Sequence, residues 1–257
     1  MAGLSWQSLR TRLVAGALCA SVASIWIVTL IIGTYLRSDM ELAISAQQYS
    51  TVSLIASGIH RSVNERSAIV ENLAQRLGRL GAVDGASAQA LLESQSGIDP
   101  LFNWGVVVTD ADGVALASEP AGHKSVGARH GDLPFFAQLK TADKPVITPP
   151  TIGQRSGAPV IGIAMPIRTP EGRYVGAVIG VINLRESNFL DQISNAKYGR
   201  TGDFLVTDIE SRSCIASSDK RRVMNVGPAA GVNPLYDRYL AGHEGSGVAV
   251  SSRGVEE

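Results

Sequence analysis

Neither sign of charge predominates in this chain of 257 residues: Lys plus Arg is 23 and Asp plus Glu is 23, for a formal net charge of +0. A balanced chain offers no electrostatic footprint for nucleic acid or another polyanion. Cysteine is nearly absent, at 2 residues, which excludes a disulfide scaffold. Cys19 lies in an apolar run and Cys214 stands alone, so no intrachain disulfide is expected. Charged residues reach only 18%, below the soluble average of about 25%. Hydrophobic content is an ordinary 45%, so the missing charge points to a locally concentrated apolar segment. Disorder and collagen-like repeats are excluded, because there is ample material for a core. The length allows one large domain or two ordinary ones.

The apolar segment is residues 13–36, LVAGALCASVASIWIVTLIIGTYL, with no charge in it. It is long enough to cross a hydrocarbon core of about 30 Å as a helix. A cleaved signal peptide would have a shorter core and a small-x-small site, and Tyr35, Leu36 and Arg37 make a poor one. Arg10 and Arg12 precede the run with no acid before it, and Asp39 and Glu41 follow Arg37. The basic side stays cytoplasmic, so residues 37–257 are expected on the outside, which in a Gram-negative cell is the periplasm.

Residues 38–81 contain no proline. Apolar residues recur at Val52, Ile55, Ile59, Val63, Val70, Leu73, Leu77 and Leu80, in helical steps of three, four and seven. This predicts a long helix continuous with the membrane segment. Its first four stripe positions are expected to line a parallel homodimer. From about residue 100 the pattern changes to short apolar runs. Strands are predicted at 104–109, 114–118, 145–148, 159–167 and 174–184, with a hairpin turn at Asp110 to Gly113 and a second around Pro170, Glu171 and Gly172. Residues 132–142 read as a short helix, with Asp132 as N-cap and Pro134 in its first turn. Gly176 and Gly180 fall on one face of the last strand, leaving room for the long helix to lie close.

VVTDADGVALAS, from Val107, is echoed by LVTDIESRSCIAS, from Leu205. Each copy is strand, acidic turn and strand, with Asp110 matching Asp208. A Val-Gly pair follows each (Val126-Gly127 and Val226-Gly227), and then a short helix begins, LPFFAQL or PLYDRYL. The chain therefore carries two tandem modules. In the second, only residues 247–251 remain as a possible further strand, so that module is expected to be truncated.

The chain resembles the double Cache family of bacterial extracellular sensors. The stretch LPFFAQLKTADKPVITPPTIGQRSGAPVIGIAMPIRTPEGRYVGAVIGVINL carries the likeness: an aromatic pair in a short helix, P-V-I, a strand ending in P-I-R, an E-G turn and a glycine-spaced apolar strand. The resemblance implies an α+β fold, in which an N-terminal transmembrane helix and a long stalk helix precede two PAS-like antiparallel-sheet modules. The expected boundaries are 1–12 cytoplasmic, 13–36 transmembrane, 37–99 stalk and connection, 100–184 membrane-distal module and 185–257 membrane-proximal module. It implies a small ligand in the distal module and an output domain outside this chain. The tail GPAAGVNPLYDRYLAGHEGSGV resembles sensors attached to diguanylate cyclases, though chemoreceptors and histidine kinases share the architecture.

In such modules the pocket forms between the short helix, the loop before it and the central strands. Here that implies Trp104, Arg129, Asp132, Phe135, Phe136, Thr148, Met165 and Arg168, with aromatic walls and with Arg129 and Asp132 meeting charged ends. The alternative for each is structural: core aromatics, a helix cap, a solvated arginine. Leu133 stands where amino-acid-binding members carry Arg, which argues against an amino-acid ligand. No cofactor is expected. His60, His123, His130 and His243 match no metal-ligand spacing and read as loop surface. No Gly-x-Ser-x-Gly, His-Glu-x-x-His or phosphate loop occurs, so the chain is not expected to be an enzyme. The partners expected are a small molecule, the lipid bilayer and a second copy of the chain, with no nucleic acid. The rival readings are a membrane-anchored periplasmic hydrolase and a ligand-free structural module.

Overall fold

A helix of 70 residues, α1 (Leu9–Gly78), opens the chain in the computed structural model, which describes all residues except 1–8, 82, 96–99, 122–124, 154–156, 196–201, 246 and 248–257. No proline interrupts it, and Gly81, at φ 78°, follows its end in the left-handed conformation that suits glycine. Within it, Arg12–Arg37 is long and apolar enough to cross a membrane. The hydroxyls in that stretch are satisfied by the helix itself: Ser21, Ser24 and Thr29 donate to the carbonyls of Ala17, Ala20 and Ile25 at 2.8–2.9 Å. Such back-bonding removes the penalty of an unpaired hydroxyl in hydrocarbon.

The chain divides into two units, 1–51 and 52–257. In the second, α1 contributes Val70, Leu73 and Leu77 of the predicted stripe to a buried core, with Ala74 beside them, whereas Leu80 is 57% exposed. Ile55, Ile59 and Val63 also pack against that core, whereas Val52 is 49% exposed and Leu54 75%. The seam predicted for a partner is therefore mostly turned to the chain's own module, because burying β-branched and aliphatic side chains needs no second subunit where a core is within reach. A short helix α2 (Gly85–Glu93), absent from the sequence reading, follows. Asp84 caps it by accepting from the Ser87 amide at 2.9 Å.

The main sheet is antiparallel. Its strands are β1 (Gly105–Asp110), β2 (Ala115–Glu119), β3 (Val146–Ile147), β4 (Thr151–Ile152), β5 (Pro159–Arg168) and β6 (Tyr174–Asn183). The order is β2-β1-β6-β5-β3, with β4 also paired to β5. Both predicted hairpin turns are present: Asp110 accepts from the amides of Asp112 and Val114, Gly113 takes φ 79°, and Gly172 takes φ 85°. The two faces are covered differently. Val106, Val108, Ile163, Val178 and Ile182 face the α1 core, while Ala164, Ala177 and Ile179 meet the helix α3 (Pro134–Leu139) through Phe136 and Leu139.

Three sequence expectations need correction. The cap of α3 is Leu133, with no side-chain hydrogen bond, and not Asp132. Pro134 at the start forces the residue before it into extended backbone, so Leu133 takes the cap position. Gly180 does not make room for α1: a side chain there would collide with the Phe102 ring, and one at Gly176 with the Thr109 carbonyl. The glycine that brings helix and sheet together is Gly78 of α1, where a Cβ would strike the Arg168 carbonyl. The Val-Gly pairs are not equivalent either. The amide of Gly227 donates to the Arg212 carbonyl, as His130 donates to Gly113, while Gly127 donates to Ala115. Gly227 therefore matches His130 in register.

The repeat itself is visible in the backbone. Strands β7 (Leu205–Thr207) and β8 (Cys214–Ser217) pair antiparallel with a register shift at Val206/Thr207, as β1 and β2 do at Val108/Thr109. Between the two sheets lies α4 (Asp191–Asn195), and α5 (Pro234–Leu240) follows β8, capped by Asn233, which accepts from Tyr236. Arg212 occupies the left-handed position held by Gly113 in the first hairpin, at φ 56°. Its side chain donates to the Pro228 carbonyl, pairs with Asp237 and stacks 5.1 Å from the Tyr236 ring centroid. The Arg212 guanidinium holds the Asp237 carboxyl below its ordinary range. Most of the strand expected at 247–251 lies outside the described residues; Gly247 is described and is not in a strand.

Candidate functional site

On the α3 side of the main sheet lies a cavity of about 210 Å³. Strand parity builds its floor. Val107 of β1, Ile179 and Val181 of β6 and Gly162 of β5 point the same way, since Val107 is opposite Ile179 and Gly162 opposite Val181 in the register. Gly162 keeps the floor low. A Cβ there would sit 3.1 Å from the Thr148 methyl and 3.3 Å from Ile179. Its place is taken by Thr148, whose hydroxyl accepts from the Gly162 amide at 2.7 Å. Thr148, Thr151 and Ile152, from the residues around β3 and β4, form one wall.

The opposite wall is the loop before α3 and the start of that helix: Ser125, Ala128, His130, Leu133 and Phe135. Backbone bonds hold His130 on both sides. Its amide donates to Gly113 at 2.8 Å, and its carbonyl accepts from Leu133 at 3.0 Å. Trp104 closes the end near β1, and its backbone amide donates to the Val181 carbonyl at 3.2 Å. Among the described lining residues His130 bears the one ionisable side chain, and the rest are apolar, aromatic or hydroxylic. The cavity is thus built to bury hydrocarbon and to meet a few polar atoms. No group of His, Cys, Asp and Glu able to hold a metal occurs among the described residues.

Of the eight residues inferred from the resemblance, Trp104, Phe135 and Thr148 line this cavity. The other five do not. Phe136 is 1% exposed in the core beneath α3, 5.2 Å between ring centroids from Phe135. Met165 packs against the α1 core, on the far face of β5. Arg168 donates to the carbonyls of Lys140 and Ala142 and so ties the end of α3 to the sheet. Arg129 and Asp132 are exposed, Arg129 in a bridge with Val114. Sequence reasoning did not find Val107, Val181, Gly162, Leu133 or His130, the last of which was assigned to loop surface. Alternation could have paired Val107 with Ile179 and Val181, but apolar residues on both faces hid which face was the cavity.

An antiparallel sheet with a long helix on one face and a helix-walled cavity on the other, with a copy of its first hairpin further along, is a PAS-like arrangement. The chain belongs to the Cache domain family: the family dCache_1 matches residues 36–256. It is 26% identical over 190 residues to the methyl-accepting chemotaxis protein McpA of Pseudomonas putida, covering 73% of this chain and 28% of that protein. The chain therefore spans about a quarter of that relative's length. Among solved structures it is similar to the ligand-binding domain of the Pseudomonas fluorescens chemoreceptor CtaA in complex with L-isoleucine, with TM-score 0.61 and 21% identity over 74% of this chain and 75% of that one. It is also similar to that of the Pseudomonas aeruginosa amino acid chemoreceptor PctC in complex with GABA, with TM-score 0.56 and 21% identity over 71% and 79%. At such identities the likeness is one of fold. These relatives are chemoreceptors, and they lend no support to the diguanylate cyclase output suggested by the tail.

Proposed function

We propose that this chain is the sensor region of a membrane-anchored signal receptor and that it binds a small molecule in the cavity between α3 and the main sheet. The observation that carries the reading is the cavity itself: a preformed, largely apolar chamber with His130, Thr148 and Trp104 around it, in a chain of the Cache family. Ligand contacts are assigned to Trp104, Phe135 and Thr148 from the sequence reading, with His130 and Leu133 added. Among the described residues no cluster supports the hydrolase alternative. The output domain is that of a chemotaxis receptor or of another transducer sharing this architecture.

The test is a thermal-shift screen of the full chain in detergent against small metabolites. A ligand at a hundred times its dissociation constant adds about 2.7 kcal/mol, which is roughly 5–10 °C for a domain of this size. Val181→Phe should fill the floor beside Gly162 and abolish the shift while leaving the unliganded transition within a few degrees. A shift of equal size in the variant would move the site elsewhere.

Orientation and assembly belong to the same reading. Arg10 and Arg12 place the N-terminus in the cytoplasm and residues 37–257 in the periplasm. A membrane helix relays a displacement only relative to a partner helix, so a parallel homodimer is proposed, with the exposed Val52 and Leu54 near its seam. Cysteine at Leu54 should be cross-linked between subunits in intact cells by a membrane-impermeant bis-maleimide, and cysteine at the partly covered Ile59 much less. No labelling at Leu54 would sink the orientation. Labelling without cross-linking would sink the dimer.

A further inference from the structure

We infer that the ligand of this cavity is a small carboxylic acid with no amino group, an inference that rests on the sensor reading above. Two segments supply much of the wall, which Trp104, Leu133 and Phe135 complete. Residues 121–131 contribute Ser125, Ala128 and His130, and residues 145–170 contribute Thr148, Thr151 and Ile152. Neither segment contains Asp or Glu, and every ionisable side chain in them is basic. No carboxylate is among the described lining residues.

Acids near these segments in sequence are engaged, exposed or outside the lining. Asp110 accepts from the amides of Asp112 and Val114 at 3.0 and 2.8 Å and is committed to its turn. Asp132 is exposed, and Glu119, at the end of β2, does not line the cavity. An ammonium group entering here would lose water with no carboxylate to replace it, a cost of several kcal/mol. A carboxylate meets the opposite situation. His130 lines the cavity, and its imidazole can donate to a carboxylate there. The rest of the chamber is hydrocarbon and aromatic, through Val107, Ile179, Val181, Trp104 and Phe135, which suits a branched aliphatic or aryl tail. Leu133, also in the lining, adds to that apolar surface. The solved neighbours are in complex with ligands that each carry both an ammonium and a carboxylate, so this chain is inferred to differ from them in ligand class.

Calorimetric titration of the full chain in detergent tests this with matched probes. The acids are 4-methylpentanoate and 3-phenylpropanoate. L-Leucine and L-phenylalanine share their skeletons with an added amino group, and 3-methylbutylamine and 2-phenylethylamine keep the amine alone. At least one acid should bind about tenfold or more tightly than its amino-acid counterpart, with no heat from either amine. His130→Gln should weaken the acid about tenfold, the range for losing a charge-assisted hydrogen bond, and Val181→Phe should abolish binding. An amino acid or amine binding as tightly as its acid overturns the inference. So does silence from all six probes when the metabolite screen yields a ligand of another class that Val181→Phe excludes, and that result leaves the sensor reading standing. No ligand from either experiment sinks both.

Discussion

Gly180→Val should cost the first module about 3 kcal/mol or more, enough to leave much of it unfolded at 37 °C. Gly180 lies on β6, the strand paired on both sides, opposite Val106 of β1 and Ile163 of β5. Its missing side chain is replaced by the Phe102 ring, 1% exposed, into which any Cβ would run. The strand cannot retreat, because it is hydrogen-bonded along both edges, and the ring is packed among the side chains of the α1 core. Interiors are close-packed, so an added isopropyl group must displace something. Phe102→Ala alone should also cost about 3–5 kcal/mol, through the cavity it leaves. The two changes share one volume. The double variant should therefore be more stable than the sum of the singles predicts, by a kcal/mol or more in a denaturation cycle on the full chain. Strict additivity would show that the ring is not what excludes a side chain at Gly180.

Arg66→Met should lower stability by about 2–4 kcal/mol. Arg66 is 5% exposed on α1. Its Nε donates to the Leu101 carbonyl at 2.8 Å, its Nη1 to the Ser62 carbonyl at 2.9 Å, and its guanidinium lies 4.2 Å from the Phe189 ring centroid. Burial pulls its pKa down, with the Glu65 charge acting the other way, yet an arginine stays charged. Methionine would fill much of the volume, but it would leave the Leu101 carbonyl without this donor and remove the cation from the ring. Arg66→Lys should lose less, since it keeps a charge and one donor.

The position also bears on signalling. Leu101 is three residues before Trp104, which lines the cavity, and Phe189 follows β6, which forms its floor. Arg66 thus ties α1 to the segment that leads into β1 and to the one that follows β6, two strands that form the cavity floor. In Arg66→Met, ligand affinity should change less than about threefold while the melting temperature falls. A stability loss below about 0.5 kcal/mol would place Arg66 among ordinary surface residues.

Residue types and their order by themselves determined the apolar span, the helix beyond it, both hairpin turns and the repeat of the first hairpin. Each is a local matter: a charge-free run, an unbroken 3.6-residue period, an acidic turn ending in glycine. They also led to Trp104, Phe135 and Thr148, through a family resemblance carried by the motif around them. Tertiary structure decided the rest, because it concerns which surfaces meet. Period two says that Met165 and Gly162 lie on opposite faces of β5. It cannot say which face holds the cavity when both are apolar and both are covered. Gly180 reads as a close approach, but only packing reveals that Phe102 and not α1 fills the space. His130 reads as a loop residue until the bonds to Gly113 and Leu133 bring its side chain to the wall. The Val-Gly pairs look equivalent in sequence, and the hydrogen-bond register sets Gly227 against His130. Ile55, Ile59 and Val63 form a stripe that would serve a partner or a core equally well. An apolar side chain gains from leaving water whichever surface covers it, so the choice between the two belongs to the fold.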